Sequence, residues 1–279
     1  MRYKIILDSC GELPEHLQKD ERFERVPLGL EIGDYHILDD DDFDQADFLR
    51  RIAEYEGCAK SSCPSPERFL EACNTEAEHI YMITISSHLS GSYNSAQLAK
   101  QLCLEKDSTK KICVIDSESA SGGESQIGML AMELEEQGLP FEEIERRLNE
   151  HRDRMETYFM LDNLETLRKN GRMSGVKAKV VQTLNIKPVM YAPGGIIAQK
   201  SQAIGVNKAL KKLVECMKKE LAHFEERTVV ITHCNCPDRA EFVKTLMEEG
   251  SITPKKIIVM PMRGLSTLYA NDGGIIVSA

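Results

Sequence analysis

Short apolar runs alternate with helical patterns along the first half of the chain. Between the runs, apolar residues recur every three or four positions, as Phe48, Ile52 and Tyr55 do in the segment 43–56. Strands that alternate with helices predict a mostly parallel sheet with helices on both faces. The predicted strands of this half are 2–8, 26–32, 79–85 and 111–115, and the predicted helices are 43–56, 66–77, 90–102, 122–137 and 141–155.

The pattern changes near residue 155. A glycine-punctuated loop follows at 170–175, and Pro193-Gly194-Gly195 joins two apolar runs as a hairpin. The later predicted strands are 158–161, 189–192, 196–199, 228–232, 257–260 and 275–277, with helices at 163–169, 206–221 and 238–247. The sequence therefore predicts an α/β fold with two domains. Residues 1–155 form one with a mostly parallel sheet, and residues 156–279 form the other with a mixed sheet.

The charge and the apolar runs exclude several classes of protein. The net charge is −10, with no basic block to offset it, which argues against binding to nucleic acid or to an anionic membrane surface. No apolar run approaches the ~20 residues that span a bilayer, so we expect no stable membrane insertion. The N-terminal segment also has no signal-peptide pattern. These features predict a cytoplasmic protein.

Two sequence features resemble metal sites, but neither matches fully. Cys234 and Cys236 are not accompanied by a second cysteine pair, and zinc needs four ligands. The acidic run 39–42 lacks the central glycine and the closing glutamate of a calcium loop. Helix capping by solvated carboxylates explains that run better. The nine scattered cysteines indicate free thiols in a reducing compartment, and we predict no metal.

Hydroxyl side chains follow three of the predicted strands, in Asp8-Ser9, Ser86-Ser87 and Asp116-Ser117. If these strands are parallel neighbours, the hydroxyls gather at one edge of the sheet, where ligands bind in open α/β folds. Ser61 and Ser62 lie in a turn nearby in sequence. Taken singly, each such residue is better explained as an N-cap of the following helix. Taken together, they favour a hydroxyl-lined pocket for a carboxylate or phosphate.

The common catalytic motifs are absent. The chain has no phosphate-binding loop, no dinucleotide fingerprint, no His-Glu-x-x-His zinc motif and no Gly-x-Ser-x-Gly elbow. A hydrolase built from Ser87 or Ser90 with His88 and Asp116 is an alternative. Arg172, in the glycine-framed loop, can hold an anion through its planar guanidinium, or it can bind loop carbonyls instead.

Several short motifs follow one another in order along nearly the whole chain. They are Ile6-Leu7-Asp8-Ser9, Val26-Pro27-Leu28, Ser61-Ser62-Cys63-Pro64-Ser65-Pro66-Glu67-Arg68-Phe69, Ile85-Ser86-Ser87-His88-Leu89-Ser90-Gly91-Ser92-Tyr93, Val114-Ile115-Asp116-Ser117, Gly171-Arg172-Met173-Ser174 and Leu184-Asn185-Ile186-Lys187-Pro188-Val189. The central serine motif and the last stretch are the most specific of them. This series resembles the DegV family of bacterial fatty-acid-binding proteins.

The resemblance implies two α/β domains with a long-chain fatty acid in a tunnel between them. In that family, the protein presents the acyl chain to a separate fatty-acid kinase, which phosphorylates the carboxylate, and the acyl phosphate then feeds phospholipid synthesis. The expected partners are thus a long-chain fatty acid and a fatty-acid kinase subunit. The resemblance implies a carrier with no catalytic residue and no cofactor.

The resemblance also assigns residues by position. The ligand's head group is expected on the first domain's serines, and Arg172 matches the family arginine linked to acyl phosphate and kinase action. Two positions depart from the family pattern: Cys63 replaces a glutamine, and Ala270 stands where many members have a histidine. The candidate head-group residues are Ser61, Ser62, Ser86 and Ser87.

Three functions remain open at this point, and each predicts a different observation. A fatty-acid carrier carries acyl chains when it is purified. A hydrolase or transferase at the serine crevice turns over a small ester or phosphate. A protein-interaction subunit has an empty cleft between its domains.

Overall fold

The computed structural model describes residues 2–173 and 185–279. The strands are β1 (Tyr3–Asp8), β2 (Phe23–Val26), β3 (Gly29–Ile32), β4 (Tyr35–Leu38), β5 (Lys60–Ser62), β6 (His79–Thr84), β7 (Lys111–Asp116), β8 (Thr157–Met160), β9 (Ile186–Tyr191), β10 (Ala198–Ile204), β11 (Thr228–His233), β12 (Lys256–Pro261) and β13 (Ile275–Ser278). The helices are α1 (Gln45–Glu54), α2 (Pro66–Ala72), α3 (Ser92–Lys106), α4 (Gly122–Glu136), α5 (Phe141–Arg154), α6 (Glu165–Lys169), α7 (Val206–Glu220), α8 (Pro237–Glu248) and α9 (Gly264–Ala270). None of these described helices has the length and apolar character that a membrane crossing requires. Ser174, Gly175 and Leu184, which belong to the predicted loop and motifs, lie outside the described residues.

A four-stranded parallel sheet, in the order β2-β1-β6-β7, is the centre of the first half of the chain. The central strands β1 and β6 are buried at nearly every position, as expected for a parallel sheet covered on both faces. Helices α2 and α3 pack on one face, and α4 and α5 pack on the other. The prediction of a mostly parallel sheet with helices on both faces is confirmed.

A three-stranded antiparallel sheet, in the order β4-β3-β5, was not expected from the sequence. The prediction of one strand over 26–32 is wrong, because β2 ends at Val26 and β3 begins in another sheet at Gly29. Pro27 has no N–H to continue the ladder, and the Leu28 N–H donates to the Ser9 hydroxyl instead (3.1 Å). Ser61, expected in a turn, lies in the edge strand β5.

A six-stranded mixed sheet, in the order β10-β9-β8-β13-β11-β12, is the centre of the second half. Strands β11 and β12 are parallel, and the other neighbouring strands are antiparallel. Helices α7 and α8 cover one face, and Leu210, Leu213 and Met217 of α7 are fully buried there. The predicted mixed sheet is confirmed, and its β9–β10 hairpin is longer than the sequence pattern indicated.

The two halves of the chain meet through α4 and α9. Helix α4 begins so close to the six-stranded sheet that a Cβ on Gly122 would lie 2.5 Å from Val230 Cγ1, which explains the glycine. Helix α9 follows β12 in the chain but packs against α1 and β3 of the first half. This exchange places residues from both halves around one cavity.

Candidate functional site

The carboxyl ends of β1, β6 and β7 lie side by side at one edge of the parallel sheet. Two carboxylates fix the loops that leave this edge. Asp8 accepts a hydrogen bond from the Ile85 N–H (3.0 Å), and Asp116 accepts one from the Ser87 N–H (3.0 Å). These aspartates therefore satisfy backbone donors of the neighbouring loop, which is a structural role.

A cavity lies between this sheet edge, the six-stranded sheet and α9. It encloses about 770 Å³ of empty space, its open mouth included. The apolar residues that line it are Leu28, Ile85, Leu89, Ala120, Phe159, Leu161, Leu167, Ala192, Ile197, Leu265, Ala270 and Ile276. A wall of this kind suits a ligand with a long hydrocarbon part, because removing apolar surface from water drives binding.

A small set of polar side chains interrupts the apolar wall. Ser61 Oγ lies 3.0 Å from Tyr269 Oη. Arg172 Nε donates to the Leu89 carbonyl (3.1 Å). Ser90, which follows Leu89 in the chain, also lines the cavity. Among the described lining residues, Arg172 is the only charged one, so no lining carboxylate neutralises it. The arrangement can accept an anionic group through one positive charge and several neutral O–H donors.

The structure brings some of the predicted site residues to the cavity and leaves others outside. Ser61 and Arg172 line it. Ser86 is buried behind the wall, where its hydroxyl donates to the carbonyl of the lining residue Gly195 (3.2 Å). Ser62 and Ser87 are exposed and do not belong to the lining. Ser62 follows Ser61 along a strand, where successive side chains point to opposite faces.

The two departures from the family pattern also have defined positions. Cys63 is exposed, and a Cβ on Gly91 would lie 3.0 Å from its Sγ, so the thiol lies beside the start of α3. Ala270 is buried and lines the cavity with a methyl group. Neither residue contributes a polar atom to the cavity wall.

Ser90 and Tyr269 are cavity residues that the sequence did not identify as head-group candidates. Ser90 carried a usable signal: it lies just before α3, in the same serine motif, where free helix N–H groups are expected. Tyr269 carried none, because its partner Ser61 is 208 residues away in the sequence. Only the packing of α9 brings the hydroxyls of Ser61 and Tyr269 together.

The hydrolase alternative needs a nucleophile, a base and an acid in mutual contact. His88 is exposed, and it is its backbone N–H that contacts the Ser86 hydroxyl (3.3 Å). None of the described residues that line the cavity is a histidine. Over residues 2–173 and 185–279, the lining therefore supplies no serine–histidine pair.

Buried acidic groups lie at the end of β1 and the start of α4. The ligand atoms of Asp8, Cys10 and Glu124 lie within 4.8 Å of one another. Burial raises the pKa of Asp8 to about 6 and the pKa values of Glu124 and Cys10 well above their usual range. Desolvation is the largest cause of each of these pKa shifts, and the neighbouring acids add to it for Glu124 and Cys10.

Glu12 is a further buried acid, and the effect of burial on its pKa can be tested. It accepts from the Ser121 hydroxyl (2.7 Å), and burial raises its pKa to about 7. An acid whose pKa is raised by folding stabilises the protein below its unfolded pKa, and this stabilisation is lost as the pH rises toward 7. We therefore expect the stability of Glu12→Gln, relative to the natural chain, to improve by roughly 3 kcal/mol between pH 4.5 and pH 7.

Urea unfolding at pH 4.5, 6 and 7.5 measures this difference. The exposed Glu15→Gln is the matched control and should track the natural chain at every pH. If Glu12→Gln and the natural chain change in parallel across this range, Glu12 is not held in its protonated form by burial.

The comparisons with known proteins agree with this geometry. A family model described as "Uncharacterised protein, DegV family" matches residues 2–278. A DegV domain-containing protein of Streptococcus pyogenes serotype M1 is 36% identical over 286 residues, which cover 99% of this chain and 98% of the relative.

Two solved structures are similar over the full length. A DegV family protein from Ruminococcus gnavus, with vaccenic acid, has a TM-score of 0.96 at 45% identity and covers 100% of this chain and 99% of its own. The Streptococcus pneumoniae Fatty Acid Kinase (Fak) B3 protein, loaded with linoleic acid, has a TM-score of 0.89 at 30% identity, with 100% and 99% covered. On the family model and these relatives, the chain belongs to the DegV family.

Proposed function

We propose that this protein binds a long-chain fatty acid, with the acyl chain in the cavity and the carboxylate at Ser61, Ser90, Arg172 and Tyr269, hereafter the head-group cluster. The observation that carries the proposal is the composition of the wall. It is apolar over most of its extent, and its one described charge, Arg172, donates to the carbonyl of Leu89, the residue before Ser90. A carboxylate on a long hydrocarbon tail matches both parts.

The ligands of the relatives support the same chemical class. The R. gnavus protein has vaccenic acid and the S. pneumoniae protein has linoleic acid. A DegV family protein from Eubacterium eligens, 26% identical with a TM-score of 0.89, is loaded with heptadecanoic acid. These acids share a long chain and a free carboxylate and differ in unsaturation, so the class of ligand is better supported than any one acid.

The chemistry of the head-group cluster suits a ligand that must later be released. Arg172 supplies a positive charge on a planar guanidinium, while the hydroxyls are neutral donors. A hydrogen bond to a charged group contributes about 1.5–3 kcal/mol net, which is less than the burial of a long tail supplies at ~0.8 kcal/mol for each methylene. The tail therefore provides most of the affinity and the cluster sets the orientation, which leaves the carboxylate available to a second protein.

We further infer that the protein is a carrier and not a catalyst. The name of the S. pneumoniae relative supports a fatty-acid kinase as the partner that acts on the bound carboxylate, and the proposal includes a cytoplasmic location for this protein. In this proposal two domains, residues 1–155 and 156–279, close around the acyl chain, since the wall takes residues from both.

Native mass spectrometry of freshly purified protein tests the proposal directly. We expect an adduct that disappears on denaturation and is recovered as long-chain fatty acids in the organic extract. Protein that carries no acyl chain and does not bind added oleic acid would contradict the proposal. Turnover of a small ester that is lost in Ser90→Ala would favour the hydrolase alternative instead.

Replacement of single serines tests the position of the head group. We expect Ser61→Ala to weaken oleic acid binding by about 10-fold, because one hydrogen bond to a charged oxygen is lost while the tail stays buried. Ser87→Ala makes the same chemical change at an exposed residue and should bind like the natural chain. Calorimetric titration measures both. Equal losses in the two variants would place the carboxylate outside the head-group cluster.

A further inference from the structure

Tyr269 occupies a well-fixed position at the cavity. Its ring is partly buried between two apolar clusters, and its hydroxyl lies 3.0 Å from Ser61 Oγ. Helix α9 carries Tyr269. The first turn of this helix is held by Asp39, whose carboxylate accepts the N–H groups of Gly264 (2.9 Å) and Leu265 (2.8 Å). The phenolic oxygen is therefore presented to the cavity by a rigid support.

The Tyr269–Ser61 pair has two O–H donors, and the hydrogen bond between them uses only one. Either oxygen can be the donor, so without a ligand one O–H donates to the other residue and the second O–H needs a different acceptor. A carboxylate oxygen is a stronger acceptor than a hydroxyl, and charge-assisted hydrogen bonds are roughly twice as strong as neutral ones. Both O–H groups can then donate to an incoming carboxylate.

We propose that Tyr269 is a specificity-determining residue of this site, whose phenolic O–H donates to the ligand carboxylate and favours free fatty acids over their esters. This inference rests on the proposed function. An ester has no negative charge, so it gains neither the charge-assisted bond from Tyr269 nor the attraction of Arg172. In a methyl ester, the methyl group on the ester oxygen also occupies space beside the hydroxyls of Tyr269 and Ser61.

The experiment compares oleic acid with methyl oleate on the natural chain and on Tyr269→Phe. The substitution removes one oxygen and keeps the ring in its apolar surroundings, so we expect the fold to be preserved. Oleic acid should bind about 10-fold more weakly to the variant, whereas the affinity for methyl oleate should change less than about 2-fold. Tyr55→Phe, at an exposed tyrosine, should behave like the natural chain toward both ligands.

Two results would overturn the inference. Unchanged oleic acid affinity in Tyr269→Phe shows that the hydroxyl does not contact the carboxylate, and equal losses for acid and ester show that Tyr269 only shapes the cavity. Both leave fatty-acid binding intact, because the natural chain still binds the acid, and they remove only Tyr269 from the residues that contact the carboxylate. Failure of the natural chain to bind oleic acid at all would instead overturn the proposed function, and this inference with it.

Discussion

Ala120→Trp is expected to abolish fatty-acid binding while the chain still folds. Ala120 lines the cavity from the loop between β7 and α4 and is not fully buried, so an indole there extends into the space that the acyl chain needs. Burial of ~14 methylenes at ~0.8 kcal/mol each supplies ~11 kcal/mol before ordering costs. Excluding half of that chain removes about 5–6 kcal/mol, or roughly 10⁴-fold in affinity.

Native mass spectrometry and oleic acid titration measure the loss, and thermal unfolding shows whether the variant folds. Ala222→Trp adds the same side chain at an exposed position and should keep both the ligand and the stability. Ala192→Trp, which approaches the cavity from the second half of the chain, gives an independent obstruction if the first variant is unstable. Retention of oleic acid at natural stoichiometry in a folded Ala120→Trp would show that the acyl chain lies elsewhere.

The parts of the fold that local sequence pattern controls could be predicted. The apolar runs that became β1, β6 and β7 are buried on both faces, so each shows as an uninterrupted run, and right-handed connections then make them parallel neighbours. This places their polar ends at one edge, as observed. The wall of the cavity, in contrast, combines residues from both halves of the chain, and no local period encodes that.

The head-group cluster shows the same limit at the level of single residues. Ser61 and Ser62 are the same type of residue in nearly the same sequence context, yet only Ser61 lines the cavity. The two residues differ because β5 pairs with the antiparallel strand β3. The sequence pattern did not show β3 as a separate strand, because only Pro27 and Leu28 lie between it and β2. Tyr269 joins the cluster only through the packing of α9, so its position is a long-range property.

The acidic run 39–42 gives a similar lesson about carboxylates. The expectation of solvated capping groups holds for Asp44, just beyond the run, which accepts the N–H groups of Ala46 (2.9 Å) and Asp47 (3.0 Å) at the start of α1. It is wrong for Asp39, which is 0% exposed. Asp39 accepts from the first turn of a helix 225 residues later in the chain. A sequence pattern shows the acid but not the distant donors it satisfies.

Asp39→Ala is expected to be strongly destabilising for this reason. Besides the two N–H groups of α9, the carboxylate accepts the Ser9 hydroxyl (2.9 Å), so the substitution leaves three buried donors without an acceptor. At about 1–3 kcal/mol for each unpaired buried group, we expect a loss of roughly 4 kcal/mol in the free energy of unfolding. Asp39→Asn offers a single oxygen to three donors on both sides of the carboxylate and should recover only part of this loss.

Asp42→Ala is the matched control, because Asp42 is an exposed member of the same acidic run and its loss should cost less than about 0.5 kcal/mol. Urea unfolding gives the stabilities, and oleic acid titration at a temperature where the variants stay folded gives a second readout. Because α9 carries Tyr269 and Ala270, loosening its first turn should weaken ligand binding as well as the fold. Equal stability of Asp39→Ala and Asp42→Ala would show that α9 is held by its apolar contacts alone. A destabilised Asp39→Ala with natural oleic acid affinity would show that the cavity does not depend on that anchor.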